Sequence, residues 1–382
     1  MFKKIIRKIK KAIKKLLVSL LPLKNIIVFE SVPDLSDNTK AVFDEMVRRG
    51  LNNKYKMVWE VKGEPESFPK IHNVRYYNLK DESDRREYKR DLLCAKCLVC
   101  CNDFLVPIKP SQQSFYLSHG TTFKSVRSYY TVPKKIKNVL VAADGVADMQ
   151  ASEINVDKER IFALGFPRND VLTAPNKNLH DYFDGEFEKV VVWYPTFRQH
   201  KSGVSTASDK ALPIIHNTDF AERLNAAAKK CGVLLVLKPH FAQDVSYVKD
   251  MGFENIRFID DSFFETKKIS SYEFVGSCDA MITDYSSIYY DYTLCDRPVA
   301  AVWEDIEDYK NNPGLIDNYE YYMSGAEKVY NIDELIGFIE RVGQGIDLLA
   351  DKRREIRDIV NYSTDGKNSQ RVVDYIIKNA KL

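Results

Sequence analysis

The feature that most constrains the fold of this chain is a repeated alternation of short β-branched runs with helical patterns. The first helical pattern lies near residues 39–49. Short apolar runs separated by such patterns are typical of parallel strands joined by crossover helices. The runs of this first series are residues 26–29, 57–61, 97–101, 115–117 and 139–142.

The alternation starts again after a polar stretch at residues 176–185. Helices are predicted near residues 219–230 and 286–294, and a helical tail is predicted from Asp333. Two successive series predict an α/β protein with two doubly wound, Rossmann-like domains. We expect these domains to span residues 24–186 and 187–382. The strands of the second series are predicted at residues 190–193, 233–237, 256–259, 280–283 and 298–302.

The length of 382 residues and a hydrophobic content of 45% agree with two domains that have large cores. They exclude intrinsically disordered and disulfide-scaffold proteins. Seven cysteines in a chain of this length favour a reducing, intracellular setting.

The basic residues are concentrated at the N-terminus. Residues 1–23 hold eight of the cations and no acid, so the net charge of +3 becomes −5 for residues 24–382. Apolar residues recur there at helical spacing, and the longest uncharged run, residues 16–23, is too short to span a bilayer. We predict an amphipathic helix that lies on an anionic membrane surface. Two alternatives are a helix docked on the protein body and a nucleic-acid-binding arm, but the acidic body argues against a nucleic-acid partner.

Polar residues follow four of the predicted strands. In parallel sheets the ligand binds beyond the carboxyl ends of the strands. We therefore expect a binding site in a cleft between the two domains. The four polar clusters are residues 118–121, 195–198, 238–240 and 284–287.

His119 is the candidate general base. It is followed by Gly120 and Thr121, so its imidazole is predicted to stand on a tight turn, with Lys124 adding a positive charge nearby. Histidine accepts a proton readily near neutral pH. The alternative is a packed or solvent-facing imidazole with no chemical role.

Residues 281–298 are predicted to form a strand, a polar turn and a helix with Ser286 or Ser287 as its N-cap. Free amides at a helix start bind phosphate. Alternatively, the serine only caps the helix and Asp284 only supports the turn. His240, Lys238 and Arg198 would bring further donors, and such a cationic set suits phosphoryl transfer.

No metal site is predicted. Cys94, Cys97, Cys100 and Cys101 imitate the spacing of a metal cluster, but they fit a buried strand and no partner pair follows. The other histidines are expected to lie on the surface. Any metal requirement stays open, and no cofactor is expected.

Together, these motifs resemble those of the CDP-glycerol glycerophosphotransferase family, which comprises teichoic-acid primases, polymerases and capsule relatives. The likeness covers roughly residues 25–380 and follows the family's motif order. The shared motifs are His119-Gly120-Thr121 with Lys124, Gly165-Phe166-Pro167-Arg168-Asn169-Asp170, Pro195-Thr196-Phe197-Arg198, Lys238-Pro239-His240, Thr283-Asp284-Tyr285-Ser286-Ser287 with Asp291-Tyr292 and Arg297-Pro298, and Asp365-Gly366-Lys367 with Ser369 and Arg371.

The resemblance implies a GT-B architecture and a monotopic enzyme on the cytoplasmic face of the membrane. It also implies transfer of glycerol phosphate from CDP-glycerol to a hydroxyl of a polyprenyl-diphosphate-linked saccharide or polymer, with release of CMP. Residues 24–186 would serve the acceptor and residues 187–382 the donor. The absence of an additional N-terminal domain favours a primase or a compact capsule-type enzyme.

The same resemblance assigns roles to residues. His119 is the implied base and His240 a second catalytic histidine, while Arg198, Lys238 and the Asp284, Tyr285, Ser286 and Ser287 turn are implied to bind the donor. Departures at Thr122, Phe123 and Phe197 leave the acceptor and the alditol open. The alternatives are a CDP-ribitol or other CDP-alditol phosphotransferase, a nucleotide-sugar glycosyltransferase and a non-catalytic membrane-bound binding protein. The further motif members are Gly120, Thr121, Lys124, Arg168, Asn169, Asp170, Thr196 and Asp291.

Overall fold

A computed structural model describes residues 21–196, 212–239, 245–249 and 251–382. In the described part, the chain divides into two compact units, and each unit is built from segments that are not continuous in the sequence. The first unit contains residues up to 119, 129–168 and 367–382, and the second contains residues 120–128 and 169–366. The continuous domain ranges 24–186 and 187–382 stay a prediction about functional organisation.

The first unit is built on a seven-stranded parallel sheet with strand order β3-β2-β1-β4-β5-β6-β7. Its elements are β1 (Lys24–Glu30), α1 (Asp37–Arg48), β2 (Lys56–Val61), β3 (Val74–Asn78), α2 (Glu82–Cys94), β4 (Ala95–Cys100), β5 (Gln113–Tyr116), β6 (Asn138–Val141), α3 (Asp144–Glu153), β7 (Ile161–Ala163) and the C-terminal helix, named α13 in chain order (Asn368–Ala380).

The second unit is built on a six-stranded parallel sheet with strand order β10-β9-β8-β11-β12-β13. Its elements are β8 (Lys189–Trp193), α4 (Thr218–Lys230), β9 (Val233–Leu237), α5 (Ser246–Lys249), β10 (Ile256–Phe258), α6 (Asp261–Lys267), α7 (Ser271–Ser277), β11 (Ala280–Thr283), α8 (Ile288–Tyr292), β12 (Val299–Val302), α9 (Ile306–Asn311), α10 (Tyr319–Tyr322), β13 (Glu327–Val329), α11 (Ile332–Gln344) and α12 (Ala350–Val360).

The central strands are apolar because both faces of each sheet are covered. Val191 of β8 packs in one apolar cluster with Leu224 of α4 and Leu335 of α11. Val190 and Val192 point to the opposite face of the sheet and are equally buried. The predicted α/β class with parallel sheets is confirmed.

Strand order reverses once in each sheet, between β1 and β4 in the first and between β8 and β11 in the second. At such a point the loops that leave neighbouring strands turn to opposite faces, and the crevice between them accepts ligands. The residues that follow these four strands are therefore candidates for contacts with a ligand.

The predicted membrane-surface helix of residues 1–23 lies almost entirely outside the described residues. In the described part, Leu21 is exposed and its carbonyl accepts a hydrogen bond from Lys109 Nζ at 2.7 Å. No helix among the described residues combines the length and the hydropathy that a bilayer crossing requires.

Candidate active site

His119 follows β5 on a turn that buried polar side chains hold in place. Ser118 has a left-handed backbone with φ of 54°, and its Oγ donates to the Leu140 carbonyl at 2.9 Å. Asn38, which is fully buried, donates from Nδ2 to the carbonyls of Ser118 at 2.9 Å and of Leu117 at 3.2 Å. The turn is thus fixed from two sides, while the His119 side chain stays exposed.

One edge of the His119 ring faces the protein. Its Nδ1 lies 3.3 Å from the carbonyl oxygen of Cys101 and 3.5 Å from the Tyr116 hydroxyl. A carbonyl oxygen only accepts hydrogen bonds, so the contact with Cys101 requires the proton on Nδ1. In the neutral ring Nε2 is then the basic nitrogen, and it is the atom that can take a proton from a substrate.

Arg168 supports the backbone of the same turn. Its Nη1 donates to the His119 carbonyl at 2.8 Å and to Asp37 Oδ1 at 2.9 Å, while its peptide N–H donates to Asn38 Oδ1 at 3.1 Å. The guanidinium is only 10% exposed. Arg168 therefore holds the main chain of His119 in place.

Gly165 is required by a close approach of α13. The residue has φ of +80°, and a Cβ atom there would lie 2.1 Å from Asn368 Oδ1. Asn368 Nδ2 donates to the Phe166 carbonyl at 3.2 Å, and Arg371 Nε donates to the Leu164 carbonyl at 3.4 Å. The C-terminal motif thus holds the turn that carries Arg168.

In the second unit, the loops at the point of strand reversal are joined by Thr196 and Asp284. Thr196 follows β8 and Asp284 follows β11. The Thr196 peptide N–H donates to Asp284 Oδ2 at 2.7 Å, and its hydroxyl donates to Asp284 Oδ1. Asp284 is fully buried, and its carboxylate supports both loops through these bonds; its role in binding the donor stays a prediction.

Tyr285 packs beneath the same turn. Its side chain is buried, its hydroxyl donates to Asp305 Oδ1 at 2.8 Å, and its ring stacks on Tyr309 with centroids 3.7 Å apart. These contacts shape the loop. Direct contact between Tyr285 and the donor stays a prediction.

The predicted N-cap position is confirmed at Ser287, but the expected side-chain capping hydrogen bond is not formed. The α-helix there covers only five residues, Ile288–Tyr292, and continues as the 3₁₀ turn Thr293–Cys295. Ser287 already has a helical backbone and its side chain forms no capping hydrogen bond, while Ser286 Oγ accepts only a long contact of 3.4 Å from the Ile288 N–H. Both serines are half-buried, so they remain accessible as hydrogen-bond partners.

Lys238 stands at the end of β9, next to β8 in the sheet. Its peptide N–H donates to the Trp193 carbonyl at 3.0 Å, and its Nζ pairs with Asp261 Oδ1 at 2.9 Å. The Asp261 side chain is 89% exposed, which makes this ion pair weak and easily exchanged for an anionic ligand. Arg198 and His240 lie outside the described residues.

The residues that follow His119 belong to the second unit. Gly120 has φ of 137°, Thr121 is buried, and Phe123 packs against the rings of three tyrosines. Lys124 forms an antiparallel bridge with Leu315, and its Nζ lies 5.6 Å from the centroid of the Tyr309 ring. The lysine of the first motif is therefore close to the ring on which Tyr285 stacks.

Asn169 and Asp291 form a buried structural pair in the second unit. Asn169 Nδ2 donates to Asp291 Oδ1 at 2.8 Å, and the Tyr272 hydroxyl donates to Asp291 Oδ2 at 2.7 Å. The Asp170 carbonyl accepts from the Thr173 hydroxyl at 3.0 Å. In the described geometry these motif residues hold the loops together.

Glu30 is a candidate that sequence reasoning missed. It is the last residue of β1 and is 3% exposed. Its Oε2 accepts the peptide N–H groups of Cys101 at 3.3 Å and Asn102 at 3.2 Å. Burial raises the pKa of the Glu30 carboxyl to about 7, although the peptide N–H groups of Asp103, Asn102 and Cys101 oppose the shift. The only sequence signal is an acid at the end of an apolar strand.

The four cysteines of α2, of β4 and of the position after β4 are buried and free, and burial raises the pKa of the Cys97, Cys100 and Cys101 thiols. Across the described ranges, no group of three His, Cys, Asp or Glu side chains is placed to hold a metal ion.

Comparisons with known proteins show the family to which this chain is similar. The model of the CDP-glycerol:poly(glycerophosphate) glycerophosphotransferase family matches residues 14–378. The chain is 24% identical to the teichoic acid glycerol-phosphate transferase of Staphylococcus aureus, with 95% of each chain covered. It is 26% identical to the teichoic acid ribitol-phosphate primase of Bacillus spizizenii over 62% of this chain, and the match spans 58% of that primase.

Among solved structures, the wall teichoic acid polymerase TagF superposes with a TM-score of 0.74 at 22% identity, covering 100% of this chain and 98% of that chain. Likeness at this level of identity shows a shared α/β fold. Because the family model extends over nearly the whole sequence and both sheets, the chain belongs to the CDP-glycerol:poly(glycerophosphate) glycerophosphotransferase family.

Proposed function

We propose that this protein transfers glycerol phosphate from CDP-glycerol to a hydroxyl of a membrane lipid-linked saccharide or polymer and releases CMP. The observation that carries the proposal is the orientation of His119, whose Nδ1 faces the Cys101 carbonyl so that the basic Nε2 is left for a substrate. Family membership supplies the class of donor.

In the proposed reaction, His119 Nε2 takes the proton of the acceptor hydroxyl. The acceptor oxygen then forms a bond to the phosphorus that carries glycerol, while the bond from that phosphorus to the bridging oxygen breaks and CMP leaves with the electron pair. Holding two substrates in line and stabilising the developing charge would supply most of the rate enhancement.

The second unit is proposed to bind the donor. Lys238, whose exposed ion pair an anion could replace, and the accessible hydroxyls of Ser286 and Ser287 would contact the diphosphate. Arg198 and His240 are proposed to donate further hydrogen bonds to the departing CMP. Asp284 and Tyr285 would keep the loop in shape.

We further propose a GT-B architecture in which residues 24–186 serve the acceptor and residues 187–382 serve the donor. Support comes from the order of the first six strands of each unit, which is that of Rossmann folds. Residues 1–23 are proposed to bind the cytoplasmic face of the membrane, where a polyprenyl-linked acceptor would be found.

The second candidate is the same transfer from CDP-ribitol, because the relatives include a ribitol-phosphate primase. Mass spectrometry of the product formed from either donor and short lipid acceptors separates the two. Added units of glycerol phosphate support our proposal. Ribitol phosphate alone would replace it with the second candidate, and absence of CMP with every CDP-alditol would favour a non-catalytic binding protein.

A further inference from the structure

The peptide group that joins Cys101 to Asn102 is bonded at both ends in the first unit. Its N–H, on Asn102, donates to Glu30 Oε2 at 3.2 Å. Its carbonyl, on Cys101, faces His119 Nδ1 at 3.3 Å. A single amide therefore separates a buried carboxylate from the imidazole that we propose as the base.

Hydrogen bonds at the two ends of an amide strengthen one another. A negative charge on Glu30 draws the N–H and pushes electron density toward the carbonyl oxygen of Cys101. That oxygen then accepts the Nδ1 proton of His119 more strongly. The interaction favours the tautomer in which Nε2 is free to accept a proton.

In the described part of the chain, the titratable groups around Glu30 are acids, hydroxyls and thiols. Asp103, Tyr88, Tyr130 and the thiols of Cys100 and Cys101 are the titratable groups whose electrostatic influence reaches it. Among the described residues, Glu30 Oε1 has no hydrogen-bond partner although it is buried. A buried acid with one unpartnered oxygen is costly to stability, which points to a functional reason for the charge.

We propose that Glu30 is a positioning residue for His119, acting through the Cys101–Asn102 peptide to keep the proton on Nδ1 and to strengthen Nε2 as a base. This inference rests on the proposed role of His119. Glu30 touches neither substrate in this scheme, so it should affect turnover without affecting binding of the donor.

The chain offers a matched control in Glu60 of the neighbouring strand β2. Burial also raises the pKa of Glu60, which interacts with Tyr88. Glu60→Gln therefore makes the same chemical change in a similar environment. Neither the Cys101 nor the Asn102 peptide N–H donates to it in the described structure.

The test compares Glu30→Gln with Glu60→Gln in the full-length protein, using release of CMP from CDP-glycerol. At pH 8, where the Glu30 carboxyl is charged, we expect kcat of Glu30→Gln to fall about tenfold, less than the loss of about 10²-fold or more expected on removal of a general base. The KM for CDP-glycerol should stay unchanged. Because the base is weakened, the acidic limb of the kcat profile should move to lower pH. Glu60→Gln should behave as wild type in all three measurements.

A second measurement reads the tautomer without catalysis. In protein labelled with ¹⁵N-histidine, the His119 signals are assigned by their loss in His119→Gln. We expect wild type and Glu60→Gln to show the proton on Nδ1, and Glu30→Gln to shift the population toward Nε2–H.

The outcomes separate the two proposals. If His119→Gln is inactive while Glu30→Gln matches Glu60→Gln in kcat, pH profile and tautomer, the role of Glu30 is wrong and that of His119 stands. If His119→Gln keeps full activity, the proposed base is wrong. A Glu30→Gln variant that loses activity with an unchanged tautomer and an unchanged pH profile would also overturn the inference, since that pattern indicates structural damage alone.

Discussion

Each sheet has a buried carboxylate beside the point where its strand order reverses, and the two carboxylates differ in their hydrogen bonds. Glu30 ends β1, beside the reversal of strand order in the first unit, and Asp284 follows β11, beside the reversal in the second. Both oxygens of Asp284 accept hydrogen bonds from Thr196. Only one oxygen of Glu30 has partners among the described residues, and both partners are peptide N–H groups.

The difference shows that a buried carboxylate beside the reversal of strand order can serve either of two purposes. The Asp284 carboxylate fastens two loops together, as expected for a scaffold. Burial disfavours the charge on Glu30 despite its peptide hydrogen bonds, so an uncharged side chain there would favour stability. Its charge is placed where it can act on His119.

The largest expected effect concerns the group on which Glu30 is proposed to act. His119→Ala should lower the rate of CMP release by about 10²-fold or more, because the acceptor hydroxyl loses its base. The midpoint of thermal unfolding should change little, since the His119 side chain is exposed. A variant that releases CMP at the wild-type rate would remove His119 from the mechanism.

The second prediction concerns how the titration of Glu30 changes the free energy of unfolding with pH. Because the pKa of Glu30 rises from 4.5 to about 7 on folding, the folded state binds the proton more tightly and wild type loses stability as pH rises from 4.5 to 7. The limit of this loss is about 3 kcal/mol. Glu30→Gln does not titrate, so its stability relative to wild type should increase between pH 5 and pH 8 in urea unfolding.

A constant difference between the two proteins across this range would show that Glu30 does not carry a raised pKa. Together with the kinetic test, this prediction means that Glu30→Gln should be more stable than wild type at pH 8 and less active. Simple structural damage would lower both properties.

For Asp284, in contrast to Glu30, removal of the charge is expected to lower the stability of the protein. Asp284→Asn weakens a charge-assisted pair of hydrogen bonds in a buried site, and we expect a loss of about 2 kcal/mol of unfolding free energy at neutral pH. Thr196→Val removes the hydroxyl partner, so the double variant should lose less than the sum of the two single losses. Additive losses would show that the two side chains do not act as a pair.

The sequence predicted the centres of both sheets better than their edges. The bounds of β9 and β11 agree with the predicted strands because central strands are continuous apolar runs. Strands β3, β7 and β13 were not predicted. All three lie at sheet edges, where partial exposure permits polar residues, and two of them contain only three residues.

Periodicity also gives no information about which unit a segment joins. Helix α13 packs with the first unit, and residues 120–128 pack with the second, because of contacts far apart in the sequence. Glu30 was missed for the same reason, since its partners at Cys101 and Asn102 are some 70 residues away. His119 was found because a neighbouring glycine and threonine form a local motif.

The smallest effect is expected for Tyr285→Phe, which tests whether Tyr285 shapes a loop or contacts the donor. Tyr285→Phe removes the hydrogen bond to Asp305, and we expect a loss of about 1 kcal/mol of unfolding free energy. The control is Tyr290→Phe, which removes a buried hydroxyl that has no partner among the described residues and should not lower stability. The KM for CDP-glycerol should stay unchanged in both variants, because both rings are buried. A raised KM in Tyr285→Phe alone would mean that this tyrosine contacts the donor, and the comparison with Glu30 would then set one functional side chain against another.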